Sequence, residues 1–403
     1  MITSQQSSQS NNGLLTHSLQ PYGRIGAALR QADLRLYQTA RSSYHWAKHE
    51  RKARTGLPFQ TKLAMWRRGF FAESATIYDF PRNNPAEYLS DFQHFVRCGR
   101  INAWEGIYTR KLGLRAILLA MGFRQPETVA YIHERRILAD PFSNAGHYIP
   151  LHQLLQRLAT GDAGHRYIIK PEDGWCGEDI ILLTCREGQF YRRRGRDEEA
   201  FDFDRYMAGL EERARRERRD VSGVLIERRL RQGAFWRALF PESANTIRLL
   251  TLWTLGEPAP FVARAVQRIG TADTVPTDNW SGGGISAPVD LESGTLGVGR
   301  MHPLKGKRPE QRFARHPDTG TRIAGAVLPH WEGVVDAVLR AAASLPFNRM
   351  AGWDVLVDSD GIPVILEANG NSDVNLLQVH GGLLAEPRIR RFYESYGVLA
   401  PAP

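Results

Sequence analysis

Three cysteines in 403 residues, Cys98, Cys176 and Cys185, are too few and too irregularly spaced for a disulfide framework or a zinc site. That scarcity predicts a reducing, cytoplasmic setting. Long apolar runs are missing too: the best, Leu114 to Phe123, is interrupted by Arg115 and falls short of the ~18 residues a membrane span needs. The opening stretch, MITSQQSSQSNNGLL, has neither a basic start nor an apolar centre, which argues against a secretory signal and predicts a disordered tail over residues 1–20. No internal repeat is present, and no serine, cysteine or histidine sits in a nucleophile–base motif.

Hydrophobic residues make up 42% of the chain, enough for a substantial core, and the length fits about two or three domains. The formal net charge of +10 permits nucleic-acid, anionic-surface or small-anion partners. Its densest basic stretch, Arg192 to Asp220, is interleaved with Glu and Asp, which predicts a solvated, salt-bridged helix and no sequence-specific nucleic-acid contact. Helical spacing runs from about Pro21 to Gly99, and a further helix is predicted from Trp104 to Met121, closed by Gly122. The period then changes to that of strands, over 128–132, 166–170, 180–185, 189–193, 221–227, 245–255 and 261–269. Trp331, Val334, Val338 and Ala342 mark one face of another helix, and a last one covers Pro387 to Tyr396. The predicted class is α+β with mostly antiparallel sheet. His302, His316 and His330 are scattered and expected at the surface.

Residues Gly352 to Asn371 read GWDVLVDSDGIPVILEANGN, two short Val- and Ile-rich runs around Asp358-Ser359-Asp360-Gly361. This is a strong hairpin signal. Residues two apart in a strand share a face, so Glu367 and Asn369 point together. A two- or four-residue turn pairs Asp354 with Ile365 and brings Asp354 to the same side; a three-residue turn breaks the arrangement. Three oxygen donors, Asp354, Glu367 and Asn369, suit a hard cation that bridges phosphates. An acidic hairpin end exposed to solvent is the alternative. Lys170 ends the apolar run Tyr167 to Ile169 and precedes a loop with Gly174 and Gly177 that can cover phosphates with backbone N–H groups, unless it is an ordinary surface hairpin. Arg248 interrupts an apolar strand, where it either pairs with acids or serves an anion. Arg264 and Arg268 follow on the next strand and extend a cationic sheet face. The segment DNWSGGG, 278–284, marks a sharp turn, a close ligand approach or a flexible loop.

Taken together, these motifs resemble the ATP-grasp superfamily and, in their order, its sugar-transfer-associated family, from about Phe70 to Tyr396. The likeness lies in NTIRLLT (245–251), RIG (268–270), DNWSGGGISAPVD (278–290), RHPDTGTRIAGAVLPHW (315–331), GWD (352–354) and LEANGN (366–371). It implies an α+β ATP-grasp fold, two α/β subdomains gripping ATP between antiparallel sheets, behind an N-terminal helical region. The expected divisions are a tail at 1–20, a helical region at 21–100, a preceding segment at 101–160, a small subdomain with its glycine loop at 161–230 and a large subdomain at 231–398. The resemblance further implies magnesium, or manganese in its place, on Asp354, Glu367 and Asn369. ATP would be contacted by Lys111, Lys170, Gly174, Gly177, Glu227 and Asn279, with catalytic roles for Arg248, Lys170 and Arg268. The implied reaction joins a small-molecule carboxylate to an amine through an acyl phosphate, on a cell-surface sugar, its precursor, an amino acid or a peptide. A kinase on the same fold and a non-catalytic basic module for nucleic acid or membrane surfaces are the alternatives. Two departures matter: Arg110 precedes Lys111 where the family has an acid, and Ser372-Asp373 stand where proline is common.

Overall fold

The computed structural model describes residues 44, 46–51, 55–160, 166–172, 180–217, 223–308 and 310–400. The expected tail at 1–20 and the glycine loop with Gly174 and Gly177 lie outside these residues. Contacts divide the chain into two compact units, 1–56 and 57–403. In the first, residues 46–51 are helical.

The second unit is built on two antiparallel sheets. The first holds β1 (Thr128–His133), β2 (Arg136–Ala139), β3 (His147–Ile149), β4 (Arg166–Pro171), β5 (Ile181–Arg186), β6 (Gln189–Arg194), β7 (Asp197–Ala200) and β8 (Val224–Arg228), in the order β3-β2-β1-β8-β4-β5-β6-β7. Strands β1 to β3 lie inside the segment 101–160 and complete the same sheet as β4 to β8. The second holds β9 (Ile247–Leu252), β10 (Phe261–Ile269), β11 (Ile285–Pro288), β12 (Gly299–Met301), β13 (Arg312–Phe313), β14 (Met350–Val357) and β15 (Pro363–Asn369), in the order β13-β12-β11-β10-β9-β14-β15.

Which side chains reach the space between the sheets follows from the period of two. In β4, Tyr167 and Ile169 pack with Leu154 and Leu158 of helix Leu151–Thr160, and with Met207 and Leu210 of helix Phe203–Glu217. Ile168 and Lys170 therefore face the other way. The second sheet is covered on both faces, so β9 and β14 are buried at every position and read as continuous apolar runs. One face packs Trp353 and Val355 on helix Trp331–Ala343; the other packs Leu250, Val266 and Met350 against Leu377, Phe392 and Tyr393. Met350, Gly352 and Asp354 share that second face, which turns from apolar to polar along β14.

Four expectations need correction. The helix expected from Trp104 to Met121 is two, Gly106–Thr109 and Lys111–Ala120, because Arg110 is extended (φ −106°, ψ 99°) and starts the second one. Lys111 thereby becomes a first-turn residue. His302 and His316 are buried rather than at the surface. Each ring closes a turn: His302 Nδ1 accepts from the N–H groups of Leu304 (3.1 Å) and Lys305 (3.2 Å), and His316 Nδ1 from those of Asp318 (3.2 Å) and Thr319 (3.3 Å). His330 is exposed, as expected. The charged stretch from Arg192 carries ion pairs, among them Arg193 to Glu242 at 2.6 Å and Arg135 to Glu211 at 2.7 Å, but among the described residues it is helical only over Phe203–Glu217, because its first residues belong to β6 and β7.

Candidate active site

The hairpin brings Asp354, Glu367 and Asn369 together, but not by the expected parity. The innermost pair is Val357 with Pro363, which leaves a turn of five residues, 358–362. An odd turn alone would place Asp354 opposite Leu366 and send Glu367 to the wrong face. A β-bulge corrects this: Val355 still pairs with Ile365, Leu366 is the extra residue, and Asp354 pairs directly with Glu367. Asn369, two positions on, has its Nδ2 3.4 Å from Glu367 Oε1. Gly352 lies opposite Asn369, and a Cβ there would fall 2.2 Å from Ser372 Oγ. Only glycine leaves room for Ser372 at this point.

Asp354 is held in a fork of arginines. Arg248 donates to both its oxygens, Nη2 reaching Oδ2 at 2.7 Å, while its Nη1 donates to Ser372 Oγ at 2.9 Å. Arg268 Nη1 donates to Asp354 Oδ2 at 2.8 Å, and its Nη2 lies 2.6 Å from Asp278 Oδ1. Asp278 is fixed in turn by the N–H (2.8 Å) and hydroxyl (2.6 Å) of Thr246. Burial works against the Asp354 charge, but Arg248 and then Arg268 hold that carboxyl well below the usual carboxylate range. Glu367 goes the other way. Burial, then the Asp354 charge beside it, push its carboxyl up.

The facing wall comes from the first sheet. Lys170 Nζ lies 3.0 Å from Glu227 Oε1, and Arg115 donates to the same oxygen and to Thr128 Oγ1 (2.7 Å). Burial pulls the Lys170 ammonium down to about 8, and Glu227 offsets only part of this. Lys111 Nζ donates to the Glu172 carbonyl at 3.2 Å, and its charge is felt by both Lys170 and Glu367. Lys170 from the first sheet and Lys111 from the first turn of helix Lys111–Ala120 thus both stand near the carboxylate pair.

A cavity between the walls is lined by Lys170 and Glu227 on one side and by Arg268, Asp278, Asp354 and Glu367 on the other, with Ile168, Ile180, Leu356 and Leu366 among its apolar surfaces. Asn279 does not line it: its side-chain oxygen accepts from Ser281 N (3.2 Å) and caps the short turn Trp280–Gly282. The residue of that loop at the cavity is its neighbour, Asp278. Glu227 spends its carboxylate on Lys170 and Arg115, while the segment that follows it, Arg228 to Leu230, lines the cavity with its chain. From sequence, Asp278 was named only as the start of the loop 278–284, Ser372 only as a departure from the family pattern and Arg115 only as a break in an apolar run, and Thr246 was not singled out. A signal existed for Arg115, a charged residue within the apolar run Leu114 to Phe123; for the others only the three-dimensional neighbours reveal the role.

Among the described residues, no three His, Cys, Asp or Glu side chains gather as a metal site. Two carboxylates and one amide do gather, and they fit a hard divalent cation on one observation. Asp354 and Glu367 stand side by side, and the Asp354 charge pushes the Glu367 carboxyl up, a repulsion that a cation between them would relieve.

Two antiparallel sheets closing on a cavity, with lysines on one wall and paired carboxylates in an arginine fork on the other, define a protein of the ATP-grasp class. The sequence matches the family described as "Sugar-transfer associated ATP-grasp" over residues 107–393, and the chain belongs to that family. No curated protein matches it. Among solved structures it is similar to the L-amino acid ligase from Bacillus licheniformis, at 13% identity and a TM-score of 0.32, covering 67% of this chain and 42% of that one. It is also similar to the D-alanine–D-alanine ligase from Bacillus anthracis complexed with ATP, at 15% identity and a TM-score of 0.33, covering 72% and 66%. Biotin carboxylase from Campylobacter jejuni matches at 9% identity and a TM-score of 0.38, covering 74% and 48%. The chain thus spans less than two thirds of the length of these proteins. No helix among the described residues is long and apolar enough to cross a membrane.

Proposed function

We propose that this chain is an ATP-dependent carboxylate–amine ligase whose two sheets, over residues 128–228 and 247–369, are the jaws of the ATP site. The observation that carries this is the cavity that sets Lys170 against Asp354, Glu367 and Arg268. Magnesium, or manganese, would be held by Asp354, Glu367 and Asn369 and would neutralise phosphate oxygens when bound. The chain's own residues do the rest. Lys170 and Lys111 draw the phosphates toward the first sheet, and the apolar surfaces of Ile168, Ile180 and Leu366 suit a flat base. Arg248 and Arg268, oriented by Asp354 and Asp278, present guanidinium planes that match a carboxylate or an acyl phosphate. In the proposed reaction a carboxylate oxygen attacks the terminal phosphorus and ADP leaves; an amine then attacks the acyl carbon and phosphate leaves. No side chain is needed as nucleophile, in keeping with the absence of such a motif. The sugar-transfer association of the family favours a sugar or sugar precursor as one substrate.

The test is a screen of carboxylate and amine pairs for ADP release, with the products weighed by mass spectrometry. ADP release that requires both partners, with a product heavier by the amine less water, is the expected result. Release driven by a hydroxyl compound alone would replace the ligase with a kinase.

A pH dependence follows from Lys170. ATP favours the charged ammonium, so ATP affinity should fall as pH rises through about 8, by up to about tenfold per pH unit. Lys170→Met should give weaker binding with a flat profile. Calorimetric ATP titrations from pH 6.5 to 9.5 check both, and a wild-type profile that is flat across that range would remove Lys170 from the phosphate site.

A further inference from the structure

The polar face of the second sheet does not stop at Arg268. Cross-strand partners share a face, and Arg268, Ser286, Arg300 and Arg312 are successive partners across β10, β11, β12 and β13. At about 4.8 Å per strand, Arg300 stands about 10 Å and Arg312 about 14 Å from Arg268. The row is divided at its second member. Ser286 is fully buried, with Oγ 3.2 Å from the Leu376 carbonyl and 2.9 Å from His380 Nε2. The half beyond His380 opens instead onto a separate cavity of about 290 Å³, close to the lower end of small-molecule sites.

This second cavity has charge of one sign. Tyr88, Val298, Arg300, Arg312, His380 and Gly381 line it, and no carboxylate does. Arg264 stands beside it, its Nη1 3.9 Å from where a Cβ on Gly381 would lie. None of Arg264, Arg300 and Arg312 forms an ion pair among the described residues. Arg264 donates to the Gly382 carbonyl at 3.3 Å and Arg300 to that of Val379, while the buried Nε of Arg300 has no partner. The acids felt here are held elsewhere or act on Tyr88: Asp79, felt by Arg300, is engaged by Arg82 at 3.3 Å, Glu386, felt by Arg264, caps helix Pro387–Ser395, and Glu87 raises the Tyr88 phenol. The surplus charge is visible at His380, driven down to about 3 by burial and then by Arg300, Arg264 and Arg312. Three guanidinium groups on one wall repel one another unless an anion sits among them. One forked arginine satisfies a carboxylate; three, with a phenol opposite, match a group with more charge and more acceptor oxygens.

We propose that this cavity binds the phosphate group of a small phosphorylated ligand, held by Arg300 and Arg312 with Arg264 and Tyr88 beside them. The site is distinct from the proposed ATP cavity and does not depend on it. Part of its wall, Asn83 and Tyr88, precedes the family-matched segment 107–393, so this chain supplies it from outside that segment. The Ser286–His380 contact behind Arg268, and strand β10, which carries both Arg264 and Arg268, link it to the first site.

The test is a calorimetric titration of inorganic phosphate into the full chain without nucleotide, at low ionic strength, alongside acetate. Saturable phosphate binding is expected, weaker by at least about tenfold in Arg300→Met and in Arg312→Glu, and not matched by acetate. Arg312 is exposed, so its substitution keeps the fold, and thermal unfolding of each variant verifies this. Binding that is absent up to about 50 mM phosphate, equal for acetate, or lost in Lys170→Met and kept in the arginine variants, overturns the proposal. A separate ATP titration of the same samples reports on the ligase proposal alone.

Discussion

Glu367→Gln is expected to lower ATP turnover by about three orders of magnitude, the scale on which a preorganised electrostatic group acts, while leaving the protein folded. The fold is expected to survive because burial and the Asp354 charge already disfavour the Glu367 carboxylate, and glutamine keeps its size without that charge. An amide N–H can still donate to the Asp354 carboxylate, and no buried charge loses its partner. Turnover fails because the variant cannot release a proton and present a second anionic oxygen to a cation. Stability supplies an independent reading with a definite sign. A carboxyl whose folded value is raised contributes stability that is complete below its ordinary value of 4.5 and is lost as pH rises through the folded value. Glutamine has nothing to lose there, so the variant should melt at or above the wild-type temperature at pH 7 to 8. Thermal unfolding with and without magnesium, beside an ADP-release assay, measures both. Full turnover would sink the metal assignment; a collapse of the melting temperature would sink the protonation argument.

Glu227→Ala should cost about 3–5 kcal/mol of folding stability, the usual penalty for removing one partner of a buried charge cluster. Glu227 is 3% exposed and is the carboxylate that answers both Lys170 and Arg115, themselves 7% and 1% exposed. Without it two cations face each other in a dry wall, and two nitrogens of Arg115 already lack partners. Lys170 would relieve this by giving up its proton, shifting from about 8 to lower pH, which would also weaken the attraction for phosphates at neutral pH. Urea unfolding followed by tryptophan fluorescence checks the stability, and a loss below about 1 kcal/mol would show that solvent reaches the cluster. Glu227→Gln, which keeps the volume, should lie between the two.

What could be read from sequence was whatever depends on local period and composition. Lys170 could be placed because strands alternate: Tyr167 and Ile169 take the core, so Ile168 and Lys170 take the cavity. Two of the three donors could be placed on one face because Glu367 and Asn369 are two apart. The register that adds Asp354 to them could not, since it depends on a five-residue turn and a bulge at Leu366 whose errors in facing cancel. Arg248 was left between pairing with acids and serving an anion, and it does pair: its partner, Asp354, lies 106 positions away in sequence. Asp278 and Thr246 orient Arg268 through contacts across 32 residues, which no pattern along the chain encodes. The buried histidines failed for a related reason, since a ring that accepts from two consecutive backbone N–H groups is neither apolar nor exposed.

The bulge at Leu366 has a consequence for how this hairpin can change over generations. Cross-strand partners share a face whatever lies between them, so 358–362 can gain or lose residues without turning Glu367 or Asn369 as long as Val357 stays opposite Pro363. A single residue gained or lost between Pro363 and Glu367 is different, because it keeps Asp354 opposite Glu367 only if the bulge closes or a second one forms. Natural variants of the chain should therefore differ freely in the length of the turn and, within the strand, only together with a change of the bulge.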